Sequence, residues 1–257
     1  MKIFKILITI LFCIFWIAPT VHADDYEPLL KPQIAIIIDD FGNDMGGTAE
    51  MMDLPFPITV AVMPFLQTSC EDAKMAYQKG HEVIIHMPME PICGKQNWLG
   101  PKPITTDLSD KEIKKRLTEA YEEIPYAIGM NNHMGSKVTS DERVMRLVMD
   151  FCAKNKLFFI DSATHHKSVA EKVAKEKGVI CLKNQIFLDD VHTPGHVLGQ
   201  LQEVKQEALE NGISIAIGHV GNRGQITARA LKKFYFTEKE NDHIDYVPIS
   251  ELVKSAQ

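Results

Sequence analysis

The sequence predicts an α/β fold in which one domain is built from βα units around a parallel sheet. Short apolar runs rich in Ile and Val alternate with amphipathic segments, which is the pattern of that architecture. The runs are continuous rather than alternating, which indicates strands buried on both faces. No linker, repeat or shift in composition divides Gln33 to Val253, and 45% hydrophobic residues in a chain of 257 suffice for one large core.

Eight apolar runs are predicted to be strands, and three amphipathic segments between them are predicted to be helices. The strands are Ile34–Ile38, Ile58–Met63, Glu82–Ile85, Ala127–Met130, Leu157–Ile160, Val179–Leu182, Ser214–Ile217 and Tyr246–Ile249. The helices are Asp110 to about Glu123, a segment capped by Ser140 and ending near Asn155, and Val197 to Ala208 with its C-terminus at Asn211-Gly212.

The first 23 residues have the three regions of a secretory signal peptide. Lys2 and Lys5 precede the apolar run from Ile6 to Ala18, and Val21-His22-Ala23 follows as a cleavage site. We therefore expect residues 1–23 to be a signal peptide, 24–32 a linker and 33–257 the folded domain. The protein would then be exported to the periplasm or beyond, with no stable membrane insertion after cleavage, and a retained N-terminal anchor is the alternative.

Charge and cysteine content restrict the classes of function further. The formal net charge of -6 argues against a nucleic-acid protein, which needs a basic face to neutralise phosphates. The four cysteines beyond the predicted signal peptide contain no C-x-x-C pair, so a zinc-thiolate site is not expected; they are Cys70, Cys93, Cys152 and Cys181. Disulfides and buried free thiols both fit this spacing, and nothing in the sequence indicates an oligomeric state.

Ionisable side chains follow five different predicted strands. Asp39 and Asp40 end the first strand, and four further residues end or closely follow later ones: His86, His133, Asp161 and His219. The carboxyl ends of parallel barrel strands converge on one face, where active sites are built. We therefore expect these side chains to share a site.

Asp40, His86 and His133 supply the ligand set of an open metal site. Two imidazoles and one carboxylate suit a divalent metal, Zn²⁺ first among them, with water in a remaining position. Each residue also has a structural explanation, since Asp39-Asp40 could form a turn and single histidines are often hydrogen-bonded in cores. A second candidate metal cluster, which consists of Asp189, Asp190 and His192, also follows an apolar run.

The order of these motifs resembles the divergent polysaccharide deacetylases, relatives of the metal-dependent carbohydrate esterases. The resemblance runs from about Gln33 to Leu252, and its motifs are Ile-Asp-Asp ending at Asp40, Gly-His-Glu-Val-Ile-Ile-His ending at His86, Met-Pro-Met-Glu-Pro at 87–91, Asn-Asn-His-Met-Gly-Ser at 131–136, Asp-Ser at 161–162 and Ile-Gly-His ending at His219. It implies a distorted (β/α)7 barrel. It also implies removal of N- or O-acetyl groups from an acetylated glycan or peptidoglycan fragment.

Carried over by position, the resemblance makes Asp39 the general base, Asp40 and His86 metal ligands, and His219 the general acid. Glu90 stands where the mainstream enzymes have a second metal histidine, and His133 is expected to replace it. Asp161 is expected to orient a histidine as a supporting carboxylate.

Two other functions remain open at this point. One is a catalytically silent glycan- or metal-binding protein, which Glu90 motivates. The other is a hydrolase of the same metal type acting on a different amide or on a phosphate ester. Retention of both Asp39 and His219 favours an enzyme, because a metal-binding site needs neither.

Overall fold

A computed structural model describes residues 31–222, 224–239 and 243–256, in which nine strands form one sheet. The predicted signal peptide and most of the predicted linker lie outside the described residues. The strands are β1 (Gln33–Phe41), β2 (Thr59–Val62), β3 (Glu82–Met89), β4 (Ala127–Met134), β5 (Phe158–Asp161), β6 (Cys181–Lys183), β7 (Ile186–Phe187), β8 (Ile213–His219) and β9 (Asp245–Tyr246).

The sheet is a curled, parallel half-barrel. Its strand order is β6-β5-β4-β3-β2-β1-β8-β7, with β9 paired to β1, and every registered pair is parallel. The strands β6 and β7 are the two ends of this path, so the barrel is not closed between them. The predicted distorted (β/α)7 barrel is confirmed.

Eight α-helices accompany the strands in the described part of the chain. They are α1 (Thr48–Met52), α2 (Ser69–Gln78), α3 (Asp110–Glu123), α4 (Glu142–Asn155), α5 (Ala170–Lys177), α6 (Pro194–Asn211), α7 (Gly224–Lys239) and α8 (Ile249–Ser255). The bounds predicted for α3 are confirmed, and Gly212 with a φ of 81° ends α6. No helix among the described residues is long and apolar enough to cross a membrane.

Two predicted boundaries are wrong at helix starts. Ser140 lies in a short 3-10 turn, and Asp141 caps α4 instead by accepting a hydrogen bond from the Val144 amide at 3.0 Å. The predicted strand Tyr246–Ile249 ends after Tyr246, because Pro248 has no amide hydrogen for a ladder and serves as the N-cap of α8.

The core has two parts, one between the sheet and its helices and one inside the barrel. Ile34, Ile36 and Ile38 of β1 pack in the first part, whereas Ala35 and Ile37 pack in the second. Both faces of β1 are therefore buried, as predicted, and helix α8 packs on the inner part. Asp39 continues the alternation of the inward-facing residues and so belongs to the barrel interior.

The four described cysteines are free thiols. Cys152 is buried, Cys70 and Cys181 are half-buried and Cys93 is exposed. Burial raises the pKa of the Cys152 thiol to about 12, which keeps it protonated and unreactive at neutral pH.

Candidate metal and catalytic centre

The carboxyl ends of four strands bring five of the six predicted site residues together. Asp39 and Asp40 end β1, His86 lies on β3, His133 on β4, and His219 ends β8. The register of β1 against β8 pairs Asp39 with His219. His86 and His133 lie on the adjacent strands β3 and β4, close together in register. Parallel pairing thus aligns residues that are distant in the sequence.

Asp40 has an unusual backbone conformation that directs its side chain into the site. Its φ is 71°, a region that costs a non-glycine residue free energy. The register of β1 against β2 shifts between Ile38 and Phe41, which marks a bulge. In a regular strand, adjacent side chains point to opposite faces, and the bulge instead lets Asp39 and Asp40 approach the same histidine.

Three ligand atoms lie close together in the centre. Asp40 Oδ1 is 3.2 Å from His86 Nε2 and 3.0 Å from His133 Nδ1, and the two nitrogens are 3.1 Å apart. Among the described residues, this is the one group of three metal-ligating side chains that could hold an ion. Asp40 and His133 are partly exposed, whereas His86 is buried, so the group is accessible from one side.

The outer nitrogen of each histidine is occupied by a hydrogen bond. His86 Nδ1 lies 2.7 Å from Asn131 Oδ1, and His133 Nε2 lies 2.9 Å from the Trp98 carbonyl oxygen. Because both partners are acceptors, each outer nitrogen carries the proton and each inner nitrogen presents its lone pair to the centre. This is the tautomer that metal binding requires.

The three ligand atoms, Asp40 Oδ1, His86 Nε2 and His133 Nδ1, suit a cation. Asp40 Oδ1 is buried without a hydrogen bond of good geometry, beside two nitrogen lone pairs. Burial raises the pKa of Asp40, but hydrogen bonds and positive charge from His133 and His86 hold it well below its usual range when a proton, in place of a metal, occupies their inner nitrogens. The carboxylate is therefore ionised, and a divalent metal fits the residues present.

Asp39 lies beside the metal-ligating group and is almost fully buried. Asn131 Nδ2 donates to Asp39 Oδ1 at 2.9 Å, and Asp39 Oδ2 lies 3.6 Å from His86 Nε2. Burial is the main cause that raises the pKa of Asp39, in part offset by the nearby histidines. A single asparagine thus holds both the predicted base and a predicted metal ligand.

His219 is held by a carboxylate that was not predicted for this role. Its Nδ1 donates to Asp189 Oδ1 at 2.8 Å, and Asp189 Oδ2 accepts from the His219 amide and from the Thr227 hydroxyl. Burial alone would lower the pKa of His219, but Asp189, with help from Asp40 and Asp39, raises it to about 9. The imidazole is therefore protonated at neutral pH, and its side chain is 35% exposed toward the mouth.

Asp161 does not take the place predicted for it. Its carboxylate accepts a hydrogen bond from the Ala163 amide at 2.9 Å, which stabilises the turn after β5, and within the described chain it hydrogen-bonds to no histidine. The histidine-orienting carboxylate is Asp189. The prediction is wrong because Asp161 orients neither His133 on the adjacent strand β4 nor His219 on β8, which lies on the other arm of the sheet.

The second candidate metal cluster does not assemble. Asp189 is engaged by His219, and Asp190 Oδ1 lies 2.5 Å from His196 Nε2. The described residues therefore give no ion-sized group at Asp189, Asp190 and His192.

Glu90 lies outside the metal-ligating group and connects two loops. Its Oε2 accepts from the amide and hydroxyl of Thr106 at 2.8 and 2.9 Å, and its Oε1 accepts from Lys137 Nζ at 2.7 Å. His133 of β4, and not Glu90, lies with Asp40 and His86 in the group that could hold an ion.

Sequence reasoning missed Asn131 and the Trp98 carbonyl as supporting groups. Asn131 is fully buried and stands two residues before His133, on the same face of β4. The available signal in the sequence was an amide residue two positions before His133, a spacing that places both side chains on one face of the strand. The Trp98 carbonyl has no sequence signal, because any residue carries one.

Fold and site together define a deacetylase-type barrel with a candidate metal centre at the carboxyl ends of its strands. The chain belongs to the divergent polysaccharide deacetylase family, whose profile matches residues 36–253. It is 38% identical over 193 residues to the uncharacterized protein YibQ of Escherichia coli K12, a match that covers 75% of this chain. That match spans 60% of the length of YibQ.

Two solved structures share the fold. One is the uncharacterized protein ATU2773 from Agrobacterium tumefaciens C58, with a TM-score of 0.80, 21% identity, and coverage of 88% of this chain and 91% of that one. The other is the Bc1960 peptidoglycan N-acetylglucosamine deacetylase, with a TM-score of 0.52, 13% identity, and coverage of 86% and 88%.

Proposed function

We propose that this protein is a metal-dependent hydrolase that removes acetyl groups from a cell-envelope glycan or peptidoglycan fragment. The observation that carries the proposal is the arrangement of three features at the carboxyl ends of the strands: a group that could hold a metal, a buried carboxylate beside it, and a histidine that pairs with that carboxylate residue across the sheet and is hydrogen-bonded to Asp189. A protein that only bound metal would need the first of these alone.

Asp40, His86 and His133 would hold the metal, for which we propose a zinc-class cation. When bound, such a cation supplies Lewis acidity toward the acyl carbonyl and lowers the pKa of a water molecule. Asn131 and the Trp98 carbonyl fix the two histidine tautomers that this requires.

Asp39 and His219 divide the proton transfers between them. Asp39 takes the proton of the attacking water, and burial supports this role by raising the carboxylate pKa above its usual value. His219 gives a proton to the departing sugar amine or hydroxyl, and Asp189 keeps it charged and oriented for this step. Base and acid are cross-strand partners, on β1 and β8.

Location at the cell envelope is part of the same proposal. It rests on the signal-peptide pattern of residues 1–23, and an acetylated envelope glycan is the substrate class found in that compartment.

A catalytically silent glycan- or metal-binding protein is the second candidate. The observation that favours it is Glu90, which stands at the position of a metal histidine in the mainstream enzymes and is committed to Thr106 and Lys137. The hydrolase is preferred because His133 restores the third ligand and because both proton-transfer groups are present.

The test is acetate release from acetylated oligosaccharides and peptidoglycan fragments with added Zn²⁺. We expect Asp39→Asn to retain metal while turnover falls by roughly two to four powers of ten, the usual contribution of a positioned base. His86→Ala should lose metal without unfolding. A wild type no faster than Asp39→Asn and His219→Ala on every substrate would refute the enzyme and leave the binding protein.

A further inference from the structure

The mouth of the barrel contains two adjoining pockets of different character. One, of about 450 Å³, has mainly apolar walls, formed by Met45, Met63, Leu66, Trp98 and Met134. The other, of about 780 Å³, has mixed walls; we call it the polar pocket because it contains the charged and polar side chains of Asp189, Asp190, His192, His219 and Asn222. Asp40, Met45 and Trp98 line both, so the pockets meet at the metal-ligating group.

The proposed catalytic groups divide between these pockets. His133 lines the apolar pocket, and His219 lines the polar pocket. The group that receives a proton from His219 is the sugar amine or hydroxyl, so the sugar belongs in the polar pocket. The substituent on the acyl carbon then points to the opposite side of the carbonyl, into the apolar pocket.

We propose that the apolar pocket binds an acyl chain longer than acetyl, of about four to six carbons. This assignment rests on the proposed function, because that function places the leaving group beside His219. The methyl of an acetyl group occupies about the volume of one water molecule, roughly 30 Å³. A pocket of about 450 Å³ therefore has room for several further methylenes, and its apolar walls would contact them.

Three methionines give this pocket adaptable walls. Their unbranched side chains adjust to apolar groups of different shape. A Cβ added at Gly100 would lie 2.6 Å from the Met63 methyl, and one at Gly94 would lie 2.7 Å from the Met134 methyl. Both glycines also have positive φ, so larger residues there would be strained as well as crowded.

Leu66 is the fixed part of the wall. Its amide donates to Ser69 Oγ at 3.0 Å, and Lys102 Nζ lies 4.2 Å from the centroid of the adjacent Phe65 ring. Because this turn is held in place, a larger side chain at Leu66 should shorten the pocket rather than move away from it.

The experiment measures binding of N-acetyl-, N-butyryl- and N-hexanoylglucosamine to the Zn²⁺-loaded protein, by NMR of ¹³C-methyl methionine. We expect Kd to fall about fourfold for each added methylene, or about 15-fold from acetyl to butyryl, the fold-change given by 0.8 kcal/mol per buried methylene. The shifts should fall on Met45, Met63 and Met134, each assigned by substitution to Leu. Met75, which is exposed on α2, should not shift.

Leu66→Trp should abolish the dependence of Kd on chain length, and Leu209→Trp, on the exposed face of α6, is the matched control that should retain it. Affinity that is flat, decreasing or undetectable across the series, or a dependence that survives Leu66→Trp, would overturn the inference. Failure of the proposed function gives a different result: no acyl chain is released from any substrate, while the binding series keeps its slope.

Discussion

Replacing Asp189 with asparagine tests how the site keeps His219 protonated. Asn has nearly the shape of Asp but no charge, and the carboxylate it replaces makes three hydrogen bonds, to the ring and amide of His219 and to Thr227. The variant should therefore keep the local packing and lose the charge that raises the His219 pKa. Thr227 lies on helix α7 and His219 on strand β8, so Asp189 is hydrogen-bonded to two different elements.

The magnitude follows from the two pKa values. With Asp189 the pKa of His219 is about 9, and an ordinary histidine has 6.5. At pH 8 complete loss of the shift would lower the protonated fraction from about 90% to about 3%, so acid-dependent turnover should fall by up to about 30-fold; Asp40 and Asp39, which also raise this pKa, remain in the variant. At pH 6 both forms are mostly protonated, and the loss should be less than about twofold.

Stability should follow the same ionisation. The folded-state pKa of His219 is raised above the unfolded value, so its contribution to stability is fully present below pH 6.5 and is lost as pH rises through about 9. The difference in unfolding free energy between wild type and Asp189→Asn should therefore shrink between pH 6 and pH 10. Urea denaturation at several pH values measures it.

The direct assay is an NMR titration of the His219 ring in both proteins, followed by acetate release from pH 5.5 to 9.5. Thr227→Val is the matched control, because it removes one hydrogen bond to Asp189 and leaves the charge, so the His219 pKa should stay well above 6.5. A His219 that still titrates near 9 in Asp189→Asn would show that Asp189 does not set its pKa. Activity that falls equally at all pH values would indicate that Asp189 has a structural role alone.

Three further predictions concern the metal, Glu90 and export. Asn131→Leu should weaken metal binding about 10- to 100-fold, because His86 loses the acceptor that fixes its tautomer. Competition with a chelating dye measures the affinity, and the control Asn155→Leu on α4 should leave it unchanged. Glu90→His should lower the free energy of unfolding in urea by about 1–3 kcal/mol without raising metal affinity, because the carboxylate bonds to Thr106 and Lys137. A tenfold gain in metal affinity would contradict this assignment of Glu90 to loop contacts. Mature protein from the cell envelope should begin at Asp24 on N-terminal sequencing, whereas an intact N-terminus on membrane-bound protein would indicate an anchor.

Local sequence patterns were enough to predict the parallel barrel and the members of the metal-ligating group. Continuous apolar runs are a local property, and their burial on both faces is seen directly in β1. Once the strands are parallel, their carboxyl ends must meet, so Asp40, His86 and His133 could be grouped without knowing any distance.

The carboxylate that supports His219 and the residue that joins Asp39 to His86 could not be predicted before the strands were assembled into a sheet. Asp189 follows β7, the neighbour of β8, whereas Asp161 ends β5, which pairs with β4 and β6 on the other arm of the sheet. Strand neighbours are set by the packing of the whole sheet, and no local pattern records them. The contact of Asn131 with both partners likewise depends on the register of β4 against β3 and on side-chain packing, which arise only when the strands assemble.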